Sequence, residues 1–196
     1  RFKGLGEIMK EKKDLIEEIT NCLNHSSTVT IESIPNIDLY MDQVTTFIET
    51  ALFGYKRNKE DKILTKTMIN NYAKAKIFPP PQKKKYTKNH VMLLIIIYHL
   101  KSILSISDIS KLLKPVTEEL TKNENSTLLE KIYQDFVLLQ QKNASMILEG
   151  NYTSTITQIS EHYENETIRN IMLVLELVIK ANTEKRIAEK ILDTSL

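Results

Sequence analysis

Five side chains on one short helical stretch have the types and spacing that could do chemistry. Over residues 66–76, helical geometry gathers Lys66, Thr67, Asn70, Asn71 and Lys74 within an arc of about 140°. Met68, Ile69, Tyr72, Ala73 and Ala75 fill the opposite side, with Lys76 as its only polar member. Lysine and threonine reach phosphate oxygens, and an asparagine amide matches the N6/N7 edge of adenine in the major groove. A helix face that merely meets solvent usually mixes Glu with Lys to gain pairs one turn apart, and this face holds no acid. The plain alternative is that a chain rich in Lys, Ile and Asn has placed such residues on five surface positions.

The surrounding charge follows the same direction. Residues 56–90 hold eleven basic side chains, among them Lys83, Lys84, Lys85 and Lys88, against two acids, Glu60 and Asp61. That segment carries +9 while the whole chain carries +2, so the rest carries −7. A basic middle between acidic flanks suggests a face for a polyanion. Its bland counterpart is a solvated surface in which one window happens to collect the lysines.

The elements that must position these residues are helical. Only 4 glycines and 5 prolines occur in 196 residues, too few turns for a sandwich or barrel. An apolar share of 41% with 27% charged residues is that of a chain that folds. Amphipathic periodicity predicts a helix over residues 7–23, a loop over 24–35, and a second helix that Asp38 caps and that ends near Gly54. A charged connector, residues 55–63, precedes the 66–76 helix, for which Thr65 is the N-cap. Three prolines at 79–81 end that stretch, and residues 77–87 are expected to form a two-stranded wing that includes Tyr86. Thr87 then caps a helix running to about Ile103, apolar on nearly every side, which must be the core. A short helix with Ile109, Leu112 and Leu113 is expected to end at Pro115. Helical pattern resumes over residues 127–148, breaks at 150–153, and returns from about Glu166. Residues 168–179 have almost no polar face, and a second apolar helix is hard to bury in one subunit of this size, so a homodimer interface is expected there.

The stretch from Met68 to Pro80, with Ile69, Asn70, Asn71, Tyr72, Lys74, Ile77, Phe78 and Pro80, resembles the recognition helix and exit of the MerR class of transcription regulators. Lys84-Lys85-Tyr86-Thr87 resembles the end of its wing, and Ser105 to Ile109 with Leu112 and Leu113 its fourth helix. Asn70 and Asn71 stand where that class has an arginine and a tyrosine, the connector is longer, and the wing lacks its usual glycine. Residues 35–44 together with 64–72 also resemble an uncharacterised bacterial family of unknown function grouped with MerR-like domains. The resemblance implies a mainly α fold: a MerR-like winged helix-turn-helix over residues 34–115, an N-terminal helix and loop over 1–33, and a C-terminal helical region over 116–196. It implies a dimeric regulator of double-stranded DNA whose contacts come from Lys66, Thr67, Asn70, Asn71, Lys74, Lys83, Lys84, Lys85, Tyr86 and Lys88. The other class left open is a protein–protein interaction module on the same scaffold.

Several classes find no support in the residues. Cys22 is the single cysteine, which leaves no disulfide within the chain and no cysteine-cluster zinc site, and fits a reducing, cytoplasmic setting. His25, His90, His99 and His162 have no metal-ligand spacing and are expected to be isolated core or surface residues. Asp38 and Asp42, four apart, are explained by helix capping without catalysis. No Gly-rich phosphate loop or nucleophile elbow occurs, and no catalytic residue, metal, cofactor or membrane span is expected; the longest apolar run, Val91 to Tyr98, is far below the ~20 residues that a span needs.

Overall fold

The computed structural model describes residues 28–123, 126–149 and 155–195; the helix expected over 7–23 and the break expected at 150–153 lie outside them. Its helices are α1 (Met41–Ala51), α2 (Lys66–Lys74), α3 (Lys88–Leu100), α4 (Ile106–Lys122), α5 (Leu128–Glu149), α6 (Thr155–His162) and α7 (Glu166–Ser195), with a two-stranded sheet of β1 (Leu39–Tyr40) and β2 (Lys85–Tyr86). The mainly helical expectation holds. Among the described residues, no helix is long and apolar enough to cross a membrane.

Helix α3 is the axis of the core. Val91 to Ile97, His99 and Leu100 are all buried, because α1, β2, α5 and α7 pack around the helix. Thr87 is its N-cap residue, as expected. The capping partner is His90: its Nδ1 accepts the Thr87 N–H at 3.0 Å, which leaves the ring proton on Nε2 to be donated to the Pro79 carbonyl at 2.8 Å. One buried imidazole therefore ties the start of α3 to the proline exit that precedes it.

Several expected boundaries move. Helix α1 begins at Met41 and not after Asp38, because Leu39 and Tyr40 are extended and pair antiparallel with Tyr86 and Lys85. Gln43 caps the helix instead, its Oε1 accepting the Tyr40 N–H at 2.8 Å; Asp38 and Asp42 thus do not share a helical face. Helix α1 stops at Ala51, and Gly54 falls inside a following 3₁₀ turn, Phe53–Tyr55. The wing is not closed on itself: within residues 77–87 only Gln82 and Lys85 form a bridge, and the partner strand of Lys85–Tyr86 comes from before α1.

Helix α4 runs through Pro115 to Lys122. An interior proline costs about 3 kcal/mol through the missing N–H and the clash with the preceding turn. Ile109, Leu113, Val116 and Leu120 bury one continuous face across it, each worth about 1.5–3 kcal/mol, so burial wins. The domain boundary expected at 115/116 therefore falls inside a helix, and one hydrophobic cluster extends from Val29 to Ile179.

The C-terminal region differs most from expectation. Helix α6, absent from the sequence-based expectation, and α5 both lie along α7. Ile171, Met172, Leu175, Val178 and Ile179 are buried within the single chain, which removes the reason for assigning that helix to a dimer interface. Glu176 is drawn in with them and pairs with Lys180 at 3.0 Å.

Candidate nucleic-acid interface

Helix α2 is set at both ends by its own sequence. Thr65 is the N-cap, its hydroxyl accepting the Met68 N–H at 3.2 Å. The C-terminal end is a Schellman arrangement: Lys76 has φ 54°, its N–H reaches the Ala73 carbonyl at 3.0 Å, and the Ile77 N–H reaches Tyr72 at 3.1 Å. Helix α2 therefore ends at Lys74, two residues short of the sequence-based expectation. A lysine in the left-handed region costs about 1 kcal/mol, offset by the burial of Ile77 beside Tyr72.

Between these stops Ile69 and Tyr72 are buried and Met68 and Ala73 half-buried, while Lys66, Thr67, Asn70, Asn71 and Lys74 are all exposed. All five candidate residues of the helix thus occupy one open face. Lys66 is ion-paired with Asp42 of α1, both side chains being largely exposed, so the face is less positive at its N-terminal end than the sequence suggests.

The second group sits on a tight turn. Lys83 and Lys84 have φ 49° and 64°, and the Lys85 N–H closes the turn on the Gln82 carbonyl at 2.8 Å. Two left-handed central residues give a turn that matches strand twist and is usually built from Asn and Gly; here it displays two exposed lysines. Lys85 is half-buried, its Nζ 5.5 Å from the Tyr40 ring centroid. Lys88 is half-buried at the start of α3. Tyr86 departs from its expected place on the surface: it is 4% exposed and packs edge-on against His90 at 5.6 Å, and burial raises its pKa. Helix α1 packs against both α2 and β2, so the open helix face and the lysine turn hang from one support.

Two other cations of the basic segment are held in ion pairs within the chain. Lys56 pairs with Glu49, which also accepts the Ile63 N–H at 3.2 Å. Burial opposes ionisation of Glu49, yet these two hydrogen bonds hold its carboxyl below the usual range. Arg57 pairs with Asp193 at 2.7 Å and with Glu189 at 3.6 Å. The connector is thereby fixed to α1 on one side and α7 on the other. Asp193, Glu189 and Arg186 of α7 carry no sequence signal for this role, since they meet the connector from more than 130 residues away.

His90 and His99 are buried at opposite ends of α3. Tyr55, Tyr98 and Phe136 surround His99 edge-on, and its Nε2 accepts from the Gln140 amide at 3.0 Å. Burial, with a smaller push from Arg186, lowers its pKa to about 3, so it is neutral. Among the described residues, no group of three or more His, Cys, Asp or Glu could hold a metal ion.

Comparison with curated proteins and with solved structures finds no match. A family described as "Domain of unknown function (DUF1836)" matches residues 29–136, a span that begins at Val29, the first core residue among those described, and runs past α4 to Phe136 on α5. That span is more than half of the 196 residues, and the chain belongs to the DUF1836 family.

Proposed function

We propose that the protein is a DNA-binding transcription regulator whose residues 34–115 work as a MerR-like winged helix-turn-helix. The observation that supports this is the open face of α2: five side chains able to meet phosphates or base edges, none acidic, held on a helix whose other side is packed. Asn70 and Asn71 are the base-reading candidates, and Lys74, Lys83 and Lys84 the phosphate-gripping ones. The ion pair between Lys66 and Asp42 favours the second reading, a protein-interaction module, because it neutralises one cation of the face.

Pairing of two subunits belongs to the same proposal. Its ground is no longer the buried stripe of α7 but the apolar side chains left outside, Leu177, Ile191 and Leu192 on α7 and Leu138 on α5. Sedimentation equilibrium at micromolar concentration gives twice the chain mass if this is right, and the chain mass alone rejects it.

Selection of fragments from a random pool of double-stranded DNA tests the main reading. Affinity for the selected site is expected to fall linearly with salt in log–log form, by about 0.9 per phosphate neutralised. Asn70→Ala costs about 1–3 kcal/mol at one base position, whereas Lys84→Ala weakens binding to all sequences and flattens the salt slope by about one. A chain that retains no DNA at low salt leaves the interaction module in its place.

A further inference from the structure

A cleft of about 640 Å³ adjoins the open face of α2, which contributes Asn71 to its lining, and is bounded by the connector, α2, the end of α3, the start of α4 and the second half of α7. Six basic side chains line it against two acids, Asp61 and Glu189. Both acids are already engaged: Asp61 accepts the Asn58 N–H at 2.8 Å, and Glu189 faces Arg57 at 3.6 Å. Three of the cations are likewise committed, Lys56 to Glu49, Arg57 to Asp193 and Lys185 to Glu189.

Lys101 has a different environment. It follows directly on the apolar helix α3 and is half-buried. Its Nζ donates to the Ile63 carbonyl at 2.8 Å and lies 5.1 Å from the Tyr98 ring centroid. Among the described residues, no carboxylate lies within 4 Å of it. A desolvated ammonium without a counter-charge is costly, and burial lowers the Lys101 pKa accordingly. Arg186 stands across the cleft, its guanidinium 4.9 Å from the Tyr55 ring centroid and one nitrogen on the Gly54 carbonyl at 3.0 Å. Met68, Leu104, Ile106 and Ile109 supply apolar wall. Its size falls within the range of small-molecule sites, roughly 300–1,000 Å³. A cation-rich floor with aromatic and aliphatic sides is not what a solvated notch between helices requires.

We infer that this cleft is a binding site for a small organic anion, a carboxylate or phosphate ester carried on an apolar or aromatic body, with Lys101 and Arg186 meeting the anionic group. The carboxylate or phosphate supplies the missing counter-charge of Lys101, and the body of the ligand covers Leu104 and Ile106. The site stands without the DNA reading, since it is measured on the protein alone.

Calorimetric titration of the full chain with phenyl phosphate, phenylacetate, inorganic phosphate and benzyl alcohol tests it. Phenyl phosphate or phenylacetate is expected to bind saturably at one site per chain, and which of the two binds better identifies the anionic group. Inorganic phosphate, lacking the body, and benzyl alcohol, lacking the charge, are each expected to bind at least about tenfold more weakly. Lys101→Gln weakens the better probe about tenfold or more. Ile106→Trp, which narrows the cleft from its exposed rim without removing a charge, abolishes it, and Lys114→Gln, on an exposed pair with Glu118 elsewhere on α4, leaves it unchanged. Helical circular dichroism of each variant, equal to that of the parent, shows that the effect is local. The inference is overturned if neither aromatic anion binds at millimolar concentration, if inorganic phosphate binds as well as they do, or if Lys101→Gln and Ile106→Trp leave binding intact.

Discussion

Helices α2 and α7 both have sequences that invite a partner, and the chain treats them in opposite ways. The polar face of α2 stays in solvent, whereas the apolar stripe of α7 is covered by α5 and α6 of the same molecule. A Lys/Asn face loses hydration if it is packed without exact partners, but an apolar stripe gains about 25 cal/mol for each Å² removed from water, whatever surface removes it. An open polar face is thus available for recognition by default, and an apolar pattern says only that something must cover it.

The sharpest way to break this comparison is to truncate one residue on each helix. Leu175→Ala, at a position 1% exposed on α7, is expected to cost about 2–5 kcal/mol in urea-induced unfolding. Asn70→Ala on the open face of α2 should change the same measurement by no more than about 0.5 kcal/mol. Equal losses would mean that the α2 face is structural and would remove the main support for DNA recognition.

Next in size is a pH effect at the covered end. The folded-state pKa of His99, about 3, lies below its unfolded value of about 6.5. The unfolded chain therefore takes up the proton first, and stability is lost as pH falls from about 6.5 toward 3, by at most about 1.4 kcal/mol per pH unit. Between pH 6.5 and 5 the unfolding free energy of His99→Gln should fall less steeply than that of the parent chain. Parallel slopes would show that His99 is not shut away from water among Tyr55, Tyr98 and Phe136.

The smallest effect sharpens the other side. Lys84 holds φ 64° in the turn before β2, so Lys84→Gly should raise stability by up to about 1 kcal/mol while Lys84→Ala should not. Both substitutions remove the same charge, so both should flatten the salt dependence of DNA binding alike. A stability gain with Ala as well would mean that the turn is not left-handed at that residue.

What the sequence alone determined lies within a few residues of each signal. Thr65 and Thr87 stand at the starts of their helices because a cap involves atoms at most three residues apart, and the two faces of α2 follow from a fixed helical period. The run of apolar residues in α3 likewise required a core helix, though not what would surround it. Tertiary structure decided the rest. Leu39–Tyr40 left the helical start to pair with Lys85–Tyr86, α4 continued through Pro115 because its far end had a face to bury, and α5 with α6 closed over α7. The anion cleft belongs entirely to that second class: Ile63 meets Lys101 from 38 residues away, Gly54 meets Arg186 from 132, and Arg57 meets Asp193 from 136. Local propensity has no term for such distances. Only the packing of α3, α4 and α7 brings those charges into one concavity.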